Sequence, residues 1–133
     1  MHHARGTFDV TLTPQPMTVA AGEPALDRRA IDKRFHGDLD ATSAGEMLAV
    51  ATAVKGSAGY VAVERVSGTL NGRRGTFALQ HYGIMDRGAP QQTIMVVPDS
   101  GTGELAGLAG TMTITIENGR HSYDFTYTIA DAP

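Results

Sequence analysis

Cysteine and tryptophan are both absent from the 133 residues. Without cysteine the chain holds no disulfide, iron–sulfur cluster or zinc–thiolate site. No run of 18 apolar residues offers a helical membrane span, and no charged-then-apolar leader with a small-residue cleavage site opens the chain. Charge is scarce: 19% of residues are charged, with a formal net charge of −3 and a pI near 5.9. Nine of the eleven basic residues are arginine, yet they never gather into a basic block beside an aromatic platform, which argues against nucleic acid. The expectation is a cytoplasmic protein with no nucleic-acid partner, no membrane association and no cofactor.

What is present is a moderately apolar chain, 41% hydrophobic, with 16 glycines. So few charges at that apolar content exclude intrinsic disorder, and the length fits one domain spanning 1–133 that buries roughly two-thirds of its unfolded surface. Glycine well above the ordinary share of about 7% suits a turn-rich all-β chain. Thr7 to Thr13 alternates Phe8, Val10 and Leu12 against Thr7, Asp9, Thr11 and Thr13, the period of a half-buried strand. Pro14, Pro16, Gly22 and Pro24 then mark a long connection. Further extended segments are expected at about Arg28 to Gly37 and near Glu46 to Val54, the latter rich enough in alanine to suit a helix as well.

Two Asn-Gly pairs carry the most information, because both residues of such a turn accept positive φ. With Asn71-Gly72 as a two-residue turn, Leu70 faces Arg73, Val66 faces Phe77, Glu64 faces Leu79 and Ala62 faces His81. With Asn118-Gly119, Glu117 faces Arg120, Ile116 faces His121, Ile114 faces Tyr123 and Met112 faces Phe125. In the second hairpin the apolar positions of both strands fall on one face, an agreement that a one-residue slip would destroy. One more strand, about Gln92 to Val97, lies between the hairpins. A glycine-rich turn follows it and opens a single helical turn towards Leu108, with Thr102 or Ser100 as cap. About eight strands joined mostly by short connections form a sandwich or a closed up-and-down barrel, and closure removes exposed edges.

The stretches Glu64-Arg65-Val66-Ser67-Gly68-Thr69-Leu70 with Gly75-Thr76-Phe77-Ala78-Leu79-Gln80-His81, and Ser100-Gly101-Thr102-Gly103-Glu104-Leu105-Ala106-Gly107-Leu108, carry a resemblance. Together with Gly6-Thr7-Phe8 and Phe35-His36-Gly37-Asp38-Leu39, they resemble an uncharacterised bacterial family, domain-of-unknown-function family 3224, over nearly the whole chain. The resemblance implies a single antiparallel eight-stranded barrel of the allene-oxide-cyclase-like kind and implies no activity. Related barrels include cyclases and dirigent-like proteins that hold apolar small molecules in the lumen, an analogy at the level of fold.

The register makes Glu64 and His81 diagonal neighbours on one face, among Ala62, Val66, Phe77 and Leu79. A carboxyl and an imidazole in an apolar lumen must be paired or hydrogen-bonded. Burial raises a glutamate pKa and histidine titrates near neutrality, so the pair is typed for proton transfer. A self-satisfied structural pair is the competing reading and the commoner one. Tyr60, Tyr123 and Tyr127 join Phe77 and Leu79 on the inner faces, able either to orient a mostly apolar ligand or simply to fill the core. Arg73, at the turn, is placed to guard the lumen entrance for an anionic ligand. Glu104 either accepts backbone hydrogen bonds or approaches the barrel mouth. The Ser100-to-Glu104 stretch is no phosphate loop, since it lacks Gly-Lys-Ser/Thr and Glu104 would repel phosphate; nor does Ser100 sit in a nucleophile elbow. His2 and His3 are expected at a frayed terminus. His36, His81 and His121 lie on different strands without ligand spacing, so no metal is expected.

Three functions remain open: a small-molecule-binding barrel whose ligand is oriented by Glu64, His81 and tyrosines, a cofactor-independent isomerase or cyclase using Glu64 and His81, and a structural barrel with a filled core. Val61, Val63 and Tyr82 on the outer face are an apolar surplus that points to a homo-oligomer, most simply a dimer.

Overall fold

The computed structural model describes residues 1–130. Eight antiparallel strands follow one another around a closed barrel. They are β1 (His2–Gln15), β2 (Ala25–Gly37), β3 (Leu39–Ala51), β4 (Ala58–Leu70), β5 (Arg73–Asp86), β6 (Ala89–Val96), β7 (Leu108–Glu117) and β8 (Arg120–Ile129). A 3-10 turn, Gly103–Leu105, is the one helical element among the described residues. The all-β barrel read from the sequence is the observed architecture.

Both Asn-Gly turns have the required left-handed backbone, with φ of 46° and 83° at Asn71 and Gly72 and 52° and 78° at Asn118 and Gly119. Every pairing deduced from them is present: Glu64 opposite Leu79, Ala62 opposite His81, Ile114 opposite Tyr123, Met112 opposite Phe125. A third tight turn at Arg87-Gly88 (φ 48° and 88°) joins β5 to β6.

Several strand limits differ from expectation. β1 begins at His2, not Thr7, because β8 runs beside it and pairs His2 with Tyr127 and His3 with Thr126. The terminal histidines are therefore in the sheet and not frayed. β3 begins at Leu39, directly after the bend at Gly37 (φ 102°), and ends at Ala51. Val54 lies beyond it. Its first half alternates buried Leu39, Ala41 and Ser43 with exposed Asp40, Thr42 and Ala44, a pattern in which small and polar residues disguise the apolar face.

Inward positions fill one half of the barrel. Phe35, Leu39, Val66, Leu70, Phe77, Leu79 and Phe125 are at most 2% exposed and belong to one apolar cluster. The Phe77 and Phe125 rings stack 6.0 Å apart.

The segment after β6 replaces a strand with side chains. Val97 N–H donates to the Ala78 carbonyl and Thr102 N–H to the Thr76 carbonyl, continuing the ladder along β5. On the same edge, Ser100 Oγ accepts from Ala78 N–H at 3.0 Å, Thr102 Oγ1 from Thr76 N–H at 3.0 Å and Glu104 Oε1 from Arg74 N–H at 3.2 Å. Alternate side chains thus meet alternate N–H groups of β5, the period of a strand. Thr102 precedes the 3-10 turn without capping it through its side chain, because its hydroxyl is committed to the strand.

Candidate functional site

Midway along the barrel, four polar side chains meet on the inner wall. β4 supplies Glu64, β5 supplies His81, β3 supplies Ser43 and β2 supplies Lys33, all inward by strand alternation and all buried. Lys33 Nζ donates to Glu64 Oε2 at 2.8 Å, His81 Nε2 to the same oxygen at 2.5 Å and Ser43 Oγ to Oε1 at 2.8 Å. The lysine ammonium also stands 5.0 Å from the Phe8 ring centroid and 5.7 Å from that of Phe35, the geometry of cation–π attraction. No fully buried side-chain nitrogen or oxygen among the described residues lacks a partner.

This network reverses the expected state of Glu64. Burial pushes its pKa up, but the His81 hydrogen bond and the Lys33 charge outweigh burial and lower it from the ordinary 4.5 to about 2. Three donors converge on the charged form, which is the condition that depresses a carboxyl pKa. Glu64 is therefore an anion at neutral pH, and since a carboxylate only accepts, the proton of the short contact belongs to His81 Nε2. An acid with a raised pKa, suited to hand a proton to a substrate, is not what this glutamate is.

The other sequence candidates separate into two groups. Phe77 and Leu79 lie in the filled half. Tyr123 donates through its hydroxyl to the His36 carbonyl at 2.8 Å and accepts from Leu39 N–H at 2.9 Å, tying the β2–β3 bend to β8. A Cβ at Gly6 would strike the His36 carbonyl oxygen and come within 2.6 Å of that hydroxyl, which explains a glycine there. Tyr127 accepts from Asn71 Nδ2 at 2.7 Å and holds the β4–β5 turn. Arg73 is exposed at that same turn, at the filled end. Glu104 is engaged with Arg74 N–H and not with the mouth. His36 faces outward, with Nε2 2.9 Å from Asp9 Oδ2, and His121 packs on Phe8 at 5.1 Å. The histidines do not converge, and among the described residues no group of three His, Cys, Asp or Glu side chains is placed to hold a metal ion.

Tyr60 alone of the predicted aromatics stands at the open end. It is half-buried, with its ring centroid 6.3 Å from that of His81. It helps line a hollow of about 470 Å³ with Met47, Ala49, Gln92, Ile114 and Ile116. The hollow follows from a weak seam. β6 and β7 pair only at Ile94–Met112 and Met95–Thr111, so their mouthward halves part and leave Ile114 and Ile116 facing a slot.

Sequence reasoning missed Lys33, Ser43 and Gln92. Ile31, Lys33 and Phe35 alternate with exposed Asp32, Arg34 and His36, and that period alone would have turned Lys33 inward.

A family model described as a protein of unknown function, DUF3224, matches residues 4–127. Among solved structures, a protein of unknown function from that family in Shewanella oneidensis MR-1 is 53% identical. It superposes with a TM-score of 0.96 over 99% of each chain. No curated protein matches the chain.

Proposed function

Because the chain belongs to the DUF3224 family, whose barrel fold is established and whose activity is open, we propose from its own geometry that it is a small-molecule-binding barrel. Its ligand sits in the mouth, not deep in the lumen. The observation that carries this is the apolar hollow of about 470 Å³, within the size range of ligand pockets, above a polar floor and a filled lower half. The analogy with allene-oxide-cyclase-like barrels supports the reading at the level of fold only. A cyclase or isomerase using Glu64 as acid is less well supported, since the carboxyl is held ionised by three donors. Glu64, His81, Lys33 and Ser43 serve as a rigid floor.

The neutral fluorescent amine N-phenyl-1-naphthylamine tests the proposal. Saturable fluorescence enhancement at one probe per chain, lost in Ala49→Phe with the circular dichroism unchanged, supports it. Enhancement that does not saturate, or that survives Ala49→Phe, overturns it.

A second copy of the chain is the partner we propose for the outer wall. Leu26, Leu48, Val61, Val63, Tyr82 and Ile84 are each 43–56% exposed and adjoin through the pairings Leu48–Val61 and Val61–Tyr82. They make a patch on the order of 500 Å², as large as the largest patch of an ordinary monomer. Met17 and Val19 of the β1–β2 connection extend it towards the roughly 800 Å² per partner of a standard interface. A two-fold dimer covers such a face with itself. Light scattering giving twice the 14.0 kDa chain mass, reduced to a single chain by Val61→Glu, supports the dimer; a monomer at micromolar concentration overturns it.

A further inference from the structure

Tyr60, Gly83 and Gln92 form one row across three strands, Tyr60 opposite Gly83 and Gly83 opposite Gln92. The tyrosine ring lies flat over the glycine: a Cβ at residue 83 would collide with its Cε1 and stand 2.8 Å from Cδ1. Glycine is thus the residue that lets the ring lie against the wall and leaves the mouth hollow. The ring crosses β5 to reach β6, where Gln92 Nε2 donates to the phenolic oxygen at 2.5 Å. That contact uses the oxygen as an acceptor. With the Gln92 amide in this orientation the phenolic hydrogen meets no acceptor among the described residues.

Of the residues that line the hollow, Tyr60 is the sole one with an ionisable group. The charges nearest to it are already paired: Glu64 with Lys33 beneath, and Arg29 with Asp27 on β2, opposite the lining residues Met47 and Ala49. An anionic ligand entering here would lose hydration and meet no cation that is not already paired with a carboxylate. An uncharged oxygen acceptor, in contrast, finds one unspent O–H on an otherwise apolar wall. Burial raises the Tyr60 pKa, and the Glu64 carboxylate adds to that rise against the lowering by Gln92, so the hydroxyl keeps its proton well into alkaline solution.

We infer that the mouth takes an uncharged, mostly apolar molecule bearing a carbonyl oxygen, which accepts a hydrogen bond from the Tyr60 hydroxyl while Gly83 keeps that ring on the wall. This rests on the mouth-binding reading and adds the ligand class to it.

Displacement of N-phenyl-1-naphthylamine by 2-heptanone, 1-heptene and heptanoate at pH 8 tests the class, with wild type and Tyr60→Phe. The expected result is that 2-heptanone competes at least about tenfold better than heptanoate. Tyr60→Phe should weaken the ketone about fivefold, the worth of one neutral hydrogen bond, and leave 1-heptene unchanged. A merely structural tyrosine would shift ketone and alkene alike. Gly83→Ala, which lifts the ring from the wall, is expected to weaken both ketone and alkene. Equal effects of Tyr60→Phe on ketone and alkene, or heptanoate competing as well as the ketone, overturn the inference while leaving mouth binding intact. Failure of the fluorescent probe to bind in the mouth overturns both.

Discussion

Lys33→Met is the most informative single change in this barrel. It removes the ammonium 2.8 Å from Glu64 Oε2, and with it the cation–π contacts to Phe8 and Phe35, and keeps most of the apolar stem. The Glu64 carboxylate then remains buried with hydrogen bonds from His81 and Ser43 but without its counter-charge. Breaking one half of a buried ion pair costs about 3–5 kcal/mol. For a chain of this size each kcal/mol moves the unfolding midpoint by about 4 °C, so the midpoint should fall by about 12–20 °C. The double variant Lys33→Met/Glu64→Leu removes both charges, and replacing a buried pair by apolar groups is often near neutral. It should therefore recover part of the lost stability, although His81 and Ser43 both then lose their acceptor. Urea unfolding of wild type, both single variants and the double variant closes the thermodynamic cycle. A loss below about 1 kcal/mol in Lys33→Met, the size found for exposed pairs, would refute the reasoning. A double variant no more stable than the single would refute it too.

Glu64 also sets an acid limit. Its folded pKa of about 2 lies below the ordinary 4.5, so its contribution of about 3 kcal/mol is fully present above pH 4.5 and is lost as the pH falls towards 2. Denaturant midpoints measured across that window should decline more steeply in wild type than in Glu64→Gln; equal slopes would contradict the assignment. Tyr123→Phe leaves Leu39 N–H buried without its 2.9 Å acceptor and should cost about 1–3 kcal/mol, read by thermal unfolding. Thr102→Val removes the acceptor of Thr76 N–H and should cost about 1 kcal/mol, with faster amide exchange at Thr76 than at its neighbours.

Hairpin chemistry explains why so much of the barrel was legible in the chain. Asn71-Gly72 and Asn118-Gly119 fix register by arithmetic, and the Glu64–His81 contact follows from the first of them without further information. Local pattern failed where polar groups point inward. Ser43 and Lys33 look like surface residues until the strand period is followed through Leu39–Ala41–Ser43 and Ile31–Lys33–Phe35. Without Lys33 the balance of forces on Glu64 has the wrong sign, since burial alone raises a carboxyl pKa. Ser100 and Thr102 suggested a helix cap because such residues favour caps; that these two and Glu104 can stand in for a strand by alternating side chains is decided by what lies beside them, the free edge of β5. The mouth hollow was the least legible feature. It depends on how far β6 and β7 diverge, and neither strand's own residues record that distance.

The binding site is tested most directly by methyl NMR of isoleucine- and methionine-labelled protein titrated with N-phenyl-1-naphthylamine. Saturable shifts are expected at Ile114, Ile116 and Met47, with Ile31 and Met95 unmoved. Shifts absent from those three residues, or largest at Met95 on the outer wall, would contradict a ligand site in the barrel mouth.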